Sequence, residues 1–554
     1  MHLVCFKEKS CTLLSTATTY DATDTDTTMT SVVLPAVPYD TGVPAPLADD
    51  EHADKRRVRT CLPFSNVNLT FAAVSVSFTF FLTGLTMLLM SINSQQEQSI
   101  DVRTANPVFA NKSSAAVQQA TFAAWLTAVG LKVGSVEVNG PQLKALSWLV
   151  MMDPSQLDPL AESRQRLQQR YALTVFYYQF SGEYWDLPVG AGWPQQLTST
   201  DNDANSVHEC FWPMVKCDIT ETVVGLISTA NQNGIRLRGY LPVELGLLTS
   251  MQTLQLVDKT LQGTLPTELY RQWTDLRVLD LALNQIVELS SDVQFWGDSL
   301  EILNVAGNKL YGPLPTELYQ LSRLTELRVD ENIFAEGPLL DNLVDSWPAM
   351  RVFVVTGTGV SGGLTSTIGA LTNLKRLEAY RSPVKTSIPT EIALCTSLLE
   401  FALGDSTGNS DGVKGTIPTE IGRLTNLQKF AAADGDLSGS IPSEFGLCTD
   451  LEILSLNNNR RLSGTLPKEF GELTMLEVLV VTASSLSGTI PSVLGRCTNL
   501  SLVELFDTDL TGKIPDSLCD LLGAGTLGKL TVDCRVDSFT GLSPMECSCG
   551  CTCG

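Results

Sequence analysis

A short phrase, Gly-x-Leu/Ile-Pro, recurs through the second half of the chain, and its spacing constrains the fold more than any other feature. Successive copies lie 24 or 25 residues apart, or at multiples of this period, and their prolines are Pro242, Pro266, Pro315, Pro418, Pro442, Pro467, Pro491 and Pro515. Degenerate copies near Ser290, Leu340, Ser366 and Pro389 fill the longer gaps. About twelve units of about 25 residues therefore follow one another over 223–536, and such units fold by stacking on their neighbours.

Each unit carries the apolar pattern L-x-x-L-x-L-x-x-N-x-L, seen most clearly at Leu300, Leu303, Val305, Asn308 and Leu310. The alternating apolar residues predict a short strand with one buried face. The asparagine suits an inward turn, where its amide can bond backbone groups that lack a partner. The glycine of the phrase permits a backbone conformation that other residues avoid. After the proline we expect a short outer helix, with an acidic residue near its N-terminus at Glu268, Glu317 and Glu420.

This combination of period and pattern resembles the plant-type leucine-rich repeat. The resemblance implies an α/β repeat solenoid, a horseshoe with a parallel sheet on its concave side and a cap at each end. The segment Cys210–Cys217 resembles the N-terminal cap of that family, C-x-W-x-G-V-x-C, with Met214 in place of the glycine. A narrower resemblance, to single-pass leucine-rich repeat surface proteins of diatoms and related algae, rests on the segments Gln169–Leu173, Phe176–Tyr178 and His208–Cys210.

One apolar segment before the repeats predicts a membrane span. Leu69–Ile92 is 24 residues of almost unbroken apolar character. As a helix it would be about 36 Å long, enough to cross a hydrocarbon core of about 30 Å. The basic residues just before it are Lys55, Arg56, Arg57 and Arg59, so the positive-inside rule keeps the N-terminus in the cytosol. The sequence therefore predicts a single-pass signal anchor with extracellular or lumenal repeats, and we expect the plasma membrane.

These features divide the chain into six predicted segments. They are a disordered cytosolic tail (1–65), a transmembrane signal anchor (66–93), a stem (94–139), a helical and disulfide-bonded N-terminal cap (140–222), the leucine-rich repeats (223–536) and a Cys-rich C-terminal cap (537–554). In the N-terminal cap we expect helices over Gln142–Met152 and Ala161–Phe180, and then an aromatic plug of Tyr184, Trp185, Trp193, Phe211 and Trp212. Asn111 and Asn499 begin sequons beyond the span and are glycosylation candidates.

The cysteines cluster at the two predicted caps. Cys210 and Cys217 favour a disulfide in an oxidising compartment, and a zinc site that includes His208 is the alternative. Disulfides are likewise favoured over a thiolate metal cluster for Cys519, Cys534, Cys547, Cys549, Cys551 and Cys553, whose connectivity the sequence does not choose. Cys395, Cys448 and Cys497 occupy the same phase of their repeats and are predicted to be small buried residues. We predict no metal and no cofactor.

The composition argues against several function classes. The chain has 37 Lys and Arg against 60 Asp and Glu, and this formal charge of −23 disfavours nucleic-acid binding. Two of its 3 histidines, His2 and His52, lie in the predicted tail, which removes most His-dependent catalytic pairs. The sequence has no phosphate-binding loop, H-E-x-x-H or G-x-S-x-G motif. We therefore predict that the chain is not an enzyme, and the predicted tail is too short for a kinase domain.

The concave sheet is the natural surface for binding. Charged and aromatic side chains concentrate in the middle units, and we take as ligand-binding candidates Arg328, Asp330, Arg376, Glu378, Tyr380 and Phe506. Alanine and glycine over 400–433 predict a bare stretch where a partner could approach the backbone. Extra residues at Thr407–Val413 predict a bulging loop and a second contact.

The leading hypothesis is a membrane-anchored recognition protein. It would bind an extracellular protein, peptide or glycan through its leucine-rich repeat surface, and any receptor-like signalling would need a partner chain such as a membrane co-receptor. The alternative is a structural or adhesive protein of the cell surface or cell wall, without a ligand that switches it.

Overall fold

The computed structural model describes most of the chain from residue 140 onward, a few positions over 124–130 and two short N-terminal strands; the main described ranges are 140–153, 157–185, 193–194, 208–228, 237–404, 412–534, 545–547 and 549–554. The predicted membrane segment 69–92, the sequon at Asn111 and the loop residues 405–411 lie outside the described residues. Within the described part of the chain, none of the helices combines the length and the apolar character needed to cross a membrane.

Contacts divide the chain into two units, Met1–Ser77 and Phe78–Gly554. In the first unit, the strand His2–Cys5 pairs antiparallel with the strand Cys11–Leu14. This hairpin lies within the segment 1–65 that we predicted to be a disordered tail, and the prediction did not foresee it. That prediction rested on the Thr-, Ser- and Asp-rich centre of the segment, whereas the two strands are largely apolar.

The second unit is built on one large sheet of 15 strands. Each repeat strand pairs in parallel with the strand of the next repeat, while the first pair of the described sheet, in the N-terminal cap, is antiparallel. Its strands are β1 (Val215–Cys217), β2 (Val223–Ser228), β3 (Thr253–Leu256), β4 (Val278–Asp280), β5 (Ile302–Asn304), β6 (Glu326–Arg328), β7 (Val352–Val354), β8 (Arg376–Tyr380), β9 (Glu400–Gly404), β10 (Lys429–Ala433), β11 (Ile453–Ser455), β12 (Val478–Val480), β13 (Leu502–Leu505), β14 (Lys529–Val532) and β15 (Thr552–Cys553). Neighbours in sequence are thus neighbours in the sheet, which confirms the predicted leucine-rich repeat solenoid.

Short helices form the opposite side of the repeats. Most of them begin directly after a proline, as predicted, whereas Ser291–Trp296 and Ser366–Ala370 follow Ser290 and Thr365 in degenerate copies of the phrase. The 3₁₀-helices are Val243–Leu247, Ser291–Trp296, Thr316–Gln320, Leu339–Asn342, Ser366–Ala370, Thr390–Leu394, Thr419–Arg423, Ser443–Leu447, Lys468–Glu472 and Ser492–Arg496. The repeats also contain the short α-helices Thr267–Gln272, Leu343–Ser346 and Asp516–Ala524.

Small strands pair along the side of the solenoid. They follow the turn after most strands of the large sheet, and they are Gln262–Thr264, Gln285–Glu288, Tyr311–Gly312, Ile333–Phe334, Thr386–Ser387, Val413–Gly415, Asp436–Ser440, Arg461–Gly464, Ser485–Gly488, Asp509–Leu510, Gly512–Lys513 and Met545–Glu546. Their glycines include Gly464 and Gly488, whose φ angles of 84° and 83° suit a residue without a Cβ.

The interior of the solenoid is filled by the pattern leucines. Leu279, Leu281 and Leu303 are fully buried, and they form part of one continuous apolar core that runs through the described repeats. Burying a leucine contributes about 1.5–3 kcal/mol. Because each leucine packs against neighbouring repeats, the array is stable only as a stack.

Asparagines hold the turn that follows each strand. The Nδ2 of Asn308 donates to Leu281 O at 2.9 Å and to Val305 O at 3.0 Å, and its Oδ1 accepts from Ile286 N at 2.9 Å. Asn284, Asn332 and Asn459 make equivalent bonds. In the middle repeats this position is occupied by Thr358 and Ser382, whose hydroxyls both donate to Val355 O. The asparagine ladder is therefore interrupted there.

Two helices, α1 (Pro141–Met151) and α2 (Arg164–Gln179), form the body of the N-terminal cap. The Ser163 hydroxyl caps α2 by accepting from Arg166 N at 3.2 Å. Gln169 on α2 accepts from Val223 N at 2.8 Å, which ties the cap to the first repeat strand.

The predicted aromatic plug is only partly correct. Trp185, Trp193 and Trp212 are buried together, whereas Tyr184 is 82% exposed and Phe211 is 61% exposed. These two residues end the 3₁₀ turns Gly182–Tyr184 and Glu209–Phe211. Consecutive side chains of such a turn point in different directions, so one of two adjacent aromatic residues faces the core and the other faces solvent.

A buried arginine joins the parts of this cap. Arg170 is completely buried, and its guanidinium donates to both Asp153 oxygens, at 2.7 and 2.6 Å, and to Glu209 Oε2 at 2.9 Å. The guanidinium carbon lies 5.6 Å from the ring centroid of Trp148 and 5.0 Å from that of Trp212. The cap therefore closes around one charged side chain that is paired and stacked.

Disulfides close both caps. Cys210 pairs with Cys217, and the C-terminal pairs are Cys519–Cys549, Cys534–Cys553 and Cys547–Cys551. Met214 takes a φ of 75°, which explains why its position is a glycine in the cap pattern.

Three thiols in the repeats are buried and free, as predicted: Cys395, Cys448 and Cys497. Each donates to a backbone carbonyl of the preceding repeat, at 3.1 to 3.4 Å, and burial raises the pKa of each to about 11. Thiols with a raised pKa are poor nucleophiles, so these residues act as core side chains.

Candidate binding site on the concave sheet

The register of the large sheet aligns equivalent repeat positions into columns. The residues that come directly after the first leucine of the strand pattern L-x-L lie side by side across the sheet. This central column contains Gln255, Asp280, Asn304, Arg328, Val354, Glu378, Ala402, Ala431, Ser455, Val480, Glu504 and Thr531. Side chains two residues apart on a strand share a face. Two further columns therefore flank the central column on the same face. One is formed by the residues two positions earlier in each strand, and the other by the residues two positions later.

The earlier column supplies four charged side chains in the middle strands. Glu326 begins β6 and Arg376 begins β8, and Arg376 is directly opposite Glu400 of β9, which is opposite Lys429 of β10. Only Arg376 of this set was predicted from the sequence. Glu326, Glu400 and Lys429 each lie two residues before Arg328, Ala402 and Ala431 of the central column, and this spacing is the signal that identifies them.

Three of these side chains, Arg376, Glu400 and Lys429, form one ion-pair network with Glu378 of the central column, across β8, β9 and β10. The Arg376 guanidinium pairs with Glu400, and its Nε lies 3.9 Å from Glu378 Oε1. Lys429 Nζ lies 3.2 Å from Glu378 Oε1 and 3.9 Å from Glu400 Oε2. Glu378 is only 4% exposed, whereas the other three side chains remain partly accessible. A ligand on this face would therefore meet Arg376, Glu400 and Lys429, with Glu378 beneath them.

The two carboxyl groups of the network have different proton affinities. Burial by itself would raise the pKa of Glu378, but the Glu400 carboxyl, the Lys429 ammonium and the Arg376 guanidinium bring it down to about 2. Burial and the neighbouring Glu378 raise the pKa of Glu400. Glu378 thus carries a fixed negative charge between two cations.

Tyr380 lies across the sheet instead of projecting from it. Its hydroxyl donates to Asp434 Oδ2 at 3.0 Å, and burial, followed by the Asp434 charge, raises the pKa of Tyr380. The ring crosses Gly404, where a Cβ would lie 2.8 Å from the ring carbon Cδ2. The predicted bare stretch over 400–433 is therefore partly covered, because its glycine makes room for Tyr380.

Arg328 and Asp330 lie on the same face as this network, on and just after β6. The Nε of Arg328 is 2.5 Å from Glu326 Oε1 of the same strand. Burial raises the pKa of Asp330 to about 6, although a hydrogen bond from its own backbone N–H and the attraction of Arg328 oppose the shift. Among the residues that the structure describes, none donates a hydrogen bond to Asp330 Oδ1.

Phe506 does not join the other candidates. It follows β13, and the strands β9 to β12 separate it from Tyr380. The backbone of Gly554 packs against its ring so closely that a side chain at Gly554 would have no room. Phe506 is therefore a contact of the C-terminal cap. The position of Phe506 in the repeat pattern does not predict this contact, because the contact depends on how the last residues of the chain return to the sheet.

Comparisons with known proteins gave structural likenesses only. No protein-family model matches the chain, and no curated protein matches it. Among solved structures it is similar to the plant peptide hormone receptor RGFR1 in complex with RGF2, with 28% identity, a TM-score of 0.46, and coverage of 58% of this chain and 51% of that chain. It is similar to PEPR1-AtPEP1, with 23% identity, a TM-score of 0.47, and coverage of 65% and 54%.

A third likeness is to the Arabidopsis receptor kinase HAESA in complex with the peptide hormone IDA and the co-receptor SERK1. Here the identity is 23%, the TM-score is 0.44, and the match covers 60% of this chain and 65% of that chain. The chain thus spans between half and two thirds of the length of these three proteins.

Proposed function

We propose that this chain is a membrane-anchored recognition protein that binds an extracellular ligand through the concave face of strands β6 to β10. The ligand is a protein, peptide or glycan, and the chain performs no chemical step on it. The observation that carries the proposal is the cluster formed by Glu326, Arg328, Asp330, Arg376, Glu378, Tyr380, Glu400 and Lys429, which we call the concave cluster.

The concave cluster has the properties of a recognition surface. It places charges of both signs and a tyrosine at the middle of a continuous sheet, and the side chains of Arg328, Arg376 and Lys429 are 26–31% exposed. Arginine and tyrosine are, with tryptophan, the residues enriched among those that dominate binding energy at interfaces. Partly buried charges give specificity because a partner must match their signs when it displaces water.

The anchor and the orientation belong to the proposal and rest on the sequence. The apolar segment 69–92 is the proposed anchor, and the basic residues before it place the repeats outside the cell or in a lumen. The four disulfides of the caps support a location of the repeats outside the cell or in a lumen, because such bonds persist in oxidising compartments. A membrane co-receptor would carry any signal, and the relation to algal surface proteins stays a prediction.

Arrays of immobilised peptides and glycans test the proposed binding. The full chain in detergent micelles is applied as wild type, as the double variant Arg328→Ala/Tyr380→Ala, and as the matched control Arg277→Ala/Tyr311→Ala, whose residues lie outside the concave cluster. We expect wild type and control to bind the same spots and the concave variant to lose at least about tenfold in affinity.

Two outcomes contradict the proposal. Equal binding by all three proteins would show that the ligand does not use the concave cluster. Absence of binding by the wild type on both arrays, with a melting transition that proves it is folded, would favour the structural or adhesive alternative.

A further inference from the structure

One carboxylate oxygen of the concave cluster and one neighbouring hydroxyl make no hydrogen bond within the described part of the chain. Asp330 follows β6 and Thr356 follows β7, and the parallel ladder continues past both strands, since Val329 N donates to Val354 O at 3.0 Å and Glu331 N donates to Thr356 O at 2.9 Å. Asp330 and Thr356 are therefore direct neighbours on the concave face, at the strand spacing of about 4.8 Å.

Both side chains have a polar atom without a partner in the described part of the chain: Asp330 Oδ1 and Thr356 Oγ1. Thr356 is only 5% exposed, so its hydroxyl is not simply solvated. A buried oxygen that makes no hydrogen bond costs free energy, and the cost is larger for a charged group. The pair therefore gains from a donor supplied from outside the chain.

The surrounding cations are already engaged with other carboxylates. Arg328 is held by Glu326, Arg376 by Glu400, and Arg381 reaches across Gly357 to pair with Glu331. Asp330 is thus the one member of the concave cluster whose charge is not matched by an ion pair among the described residues.

We propose that Asp330 and Thr356 form a subsite for a cationic nitrogen of a peptide ligand, an ammonium or a guanidinium. Asp330 accepts a charge-assisted hydrogen bond from the nitrogen, and Thr356 Oγ1 accepts a second one. Beyond the tail 1–65 the chain has 51 Asp and Glu against 31 Lys and Arg, and this acidic excess attracts a cationic ligand from a distance. This inference rests on the proposed function, because it names the ligand chemistry of the same concave cluster.

A neutral donor is the competing occupant. A glycan hydroxyl could satisfy both oxygens, but it would leave the Asp330 charge unmatched on a face from which water is displaced. A cation satisfies the hydrogen bonds and the charge together. The structure therefore favours a Lys side chain, an Arg side chain or a free N-terminus of a peptide.

The test uses an array of short peptides in matched sets. Within a set one position is Lys, Arg or Gln, and each peptide is printed with a free and with an acetylated N-terminus. The full chain in micelles is applied as wild type, Asp330→Asn and Thr356→Val. The matched control Asp280→Asn removes a carboxylate of the same sheet that already accepts from Ala282 N at 3.2 Å.

We expect the wild type and Asp280→Asn to bind Lys- or Arg-bearing members, or free N-termini, at least about tenfold more tightly than the neutral members. Asp330→Asn should remove that preference, and Thr356→Val should weaken it several-fold. Each variant is first shown to melt cooperatively, and because Asn matches Asp in shape the fold should be kept.

The outcomes separate this inference from the proposed function. If Asp330→Asn keeps the preference for cationic members, or if bound peptides show no such preference, the subsite is refuted while peptide binding by the concave cluster stands. Binding to glycans alone refutes the cationic subsite and leaves recognition as the function. Absence of binding by the wild type to peptides and glycans overturns both.

Discussion

Two networks of charged side chains in the described part of the chain, one in the N-terminal cap and one on the concave sheet, differ in burial. In the cap, Arg170, Asp153 and Glu209 are completely shielded from solvent, and the guanidinium lies over the rings of Trp148 and Trp212. On the sheet, Arg376, Glu400 and Lys429 keep about a quarter of their side-chain surface accessible.

This difference separates a structural network from one suited to binding. No ligand can reach the Arg170 network without unfolding the cap, so its charges hold α1, α2 and the disulfide-closed turn together. The concave cluster is open to solvent on one side, because the side chains of Arg376, Glu400 and Lys429 are partly accessible. A buried ion pair fixes geometry, while a half-open one can exchange its internal partners for those of a ligand.

The largest effect expected from this comparison is on Arg170. Arg170→Met leaves the Asp153 carboxylate buried without a cation, and it leaves Glu209 with only Arg166, whose Nε lies 3.8 Å from Glu209 Oε1. This loss should lower the free energy of unfolding of the cap by about 3–5 kcal/mol. Urea unfolding followed by tryptophan fluorescence measures it, because Trp148, Trp193 and Trp212 report on the cap. The exposed Arg323→Met is the control and should change stability by less than about 0.5 kcal/mol. An equal loss in both variants would contradict the structural role of Arg170.

The second effect concerns the pH dependence of Asp330. Its pKa of about 6 in the folded chain is above the ordinary 3.8, so the folded state binds the proton more strongly than the unfolded state. The ionised carboxylate therefore lowers the free energy of unfolding. This loss of stability reaches its full size as the pH rises above 6, and it disappears as the pH falls toward 4. Asp330→Asn should be more stable than wild type by up to about 3 kcal/mol at pH 7, and equal to it near pH 4. Thermal melting across this range checks it, and a stability gain that does not depend on pH would contradict the burial of the charge.

A smaller effect is expected for Glu378. Glu378→Gln removes the central negative charge of the concave network, but Arg376 and Lys429 still face Glu400 and are partly solvated. The free energy of unfolding should fall by about 1–2 kcal/mol, which is less than for Arg170. Glu301→Gln, in an exposed pair with Arg277, provides the control for urea unfolding. A loss as large as that of Arg170→Met would mean that the concave network is as structural as the cap.

The smallest effect is expected at Phe506. Because its ring packs beneath the C-terminal residues and away from the concave cluster, Phe506→Ala should leave binding to the peptide and glycan arrays unchanged within about twofold. A larger loss would extend the binding site to β13.

Much of this fold follows from the period of the sequence. The spacing of the prolines and leucines predicted the strands and the outer helices, because each repeat position has the same neighbours in every unit. The asparagine bonds of Asn284 and Asn308 and the disulfide Cys210–Cys217 were also predictable, since they depend on residues within one unit or between adjacent ones.

Contacts that break the repeat were not predictable. Tyr380 reaches Asp434, 54 residues away, because Gly404 leaves space between them. The C-terminal disulfides depend on how the last strand, β15, returns to β14. The central position of Arg170 in the cap likewise depends on three separate segments that meet in space, and the sequence pattern around Arg170 did not reveal it.

The most direct test of the concave binding site is hydrogen–deuterium exchange of the full chain with and without a peptide or glycan selected on the arrays. The account predicts that bound ligand slows exchange in β6 to β10 and the turns after them, while the backbone amides of α2 and of β14 exchange as before. Protection confined to the caps, or to the small strands along the side of the solenoid, would contradict it.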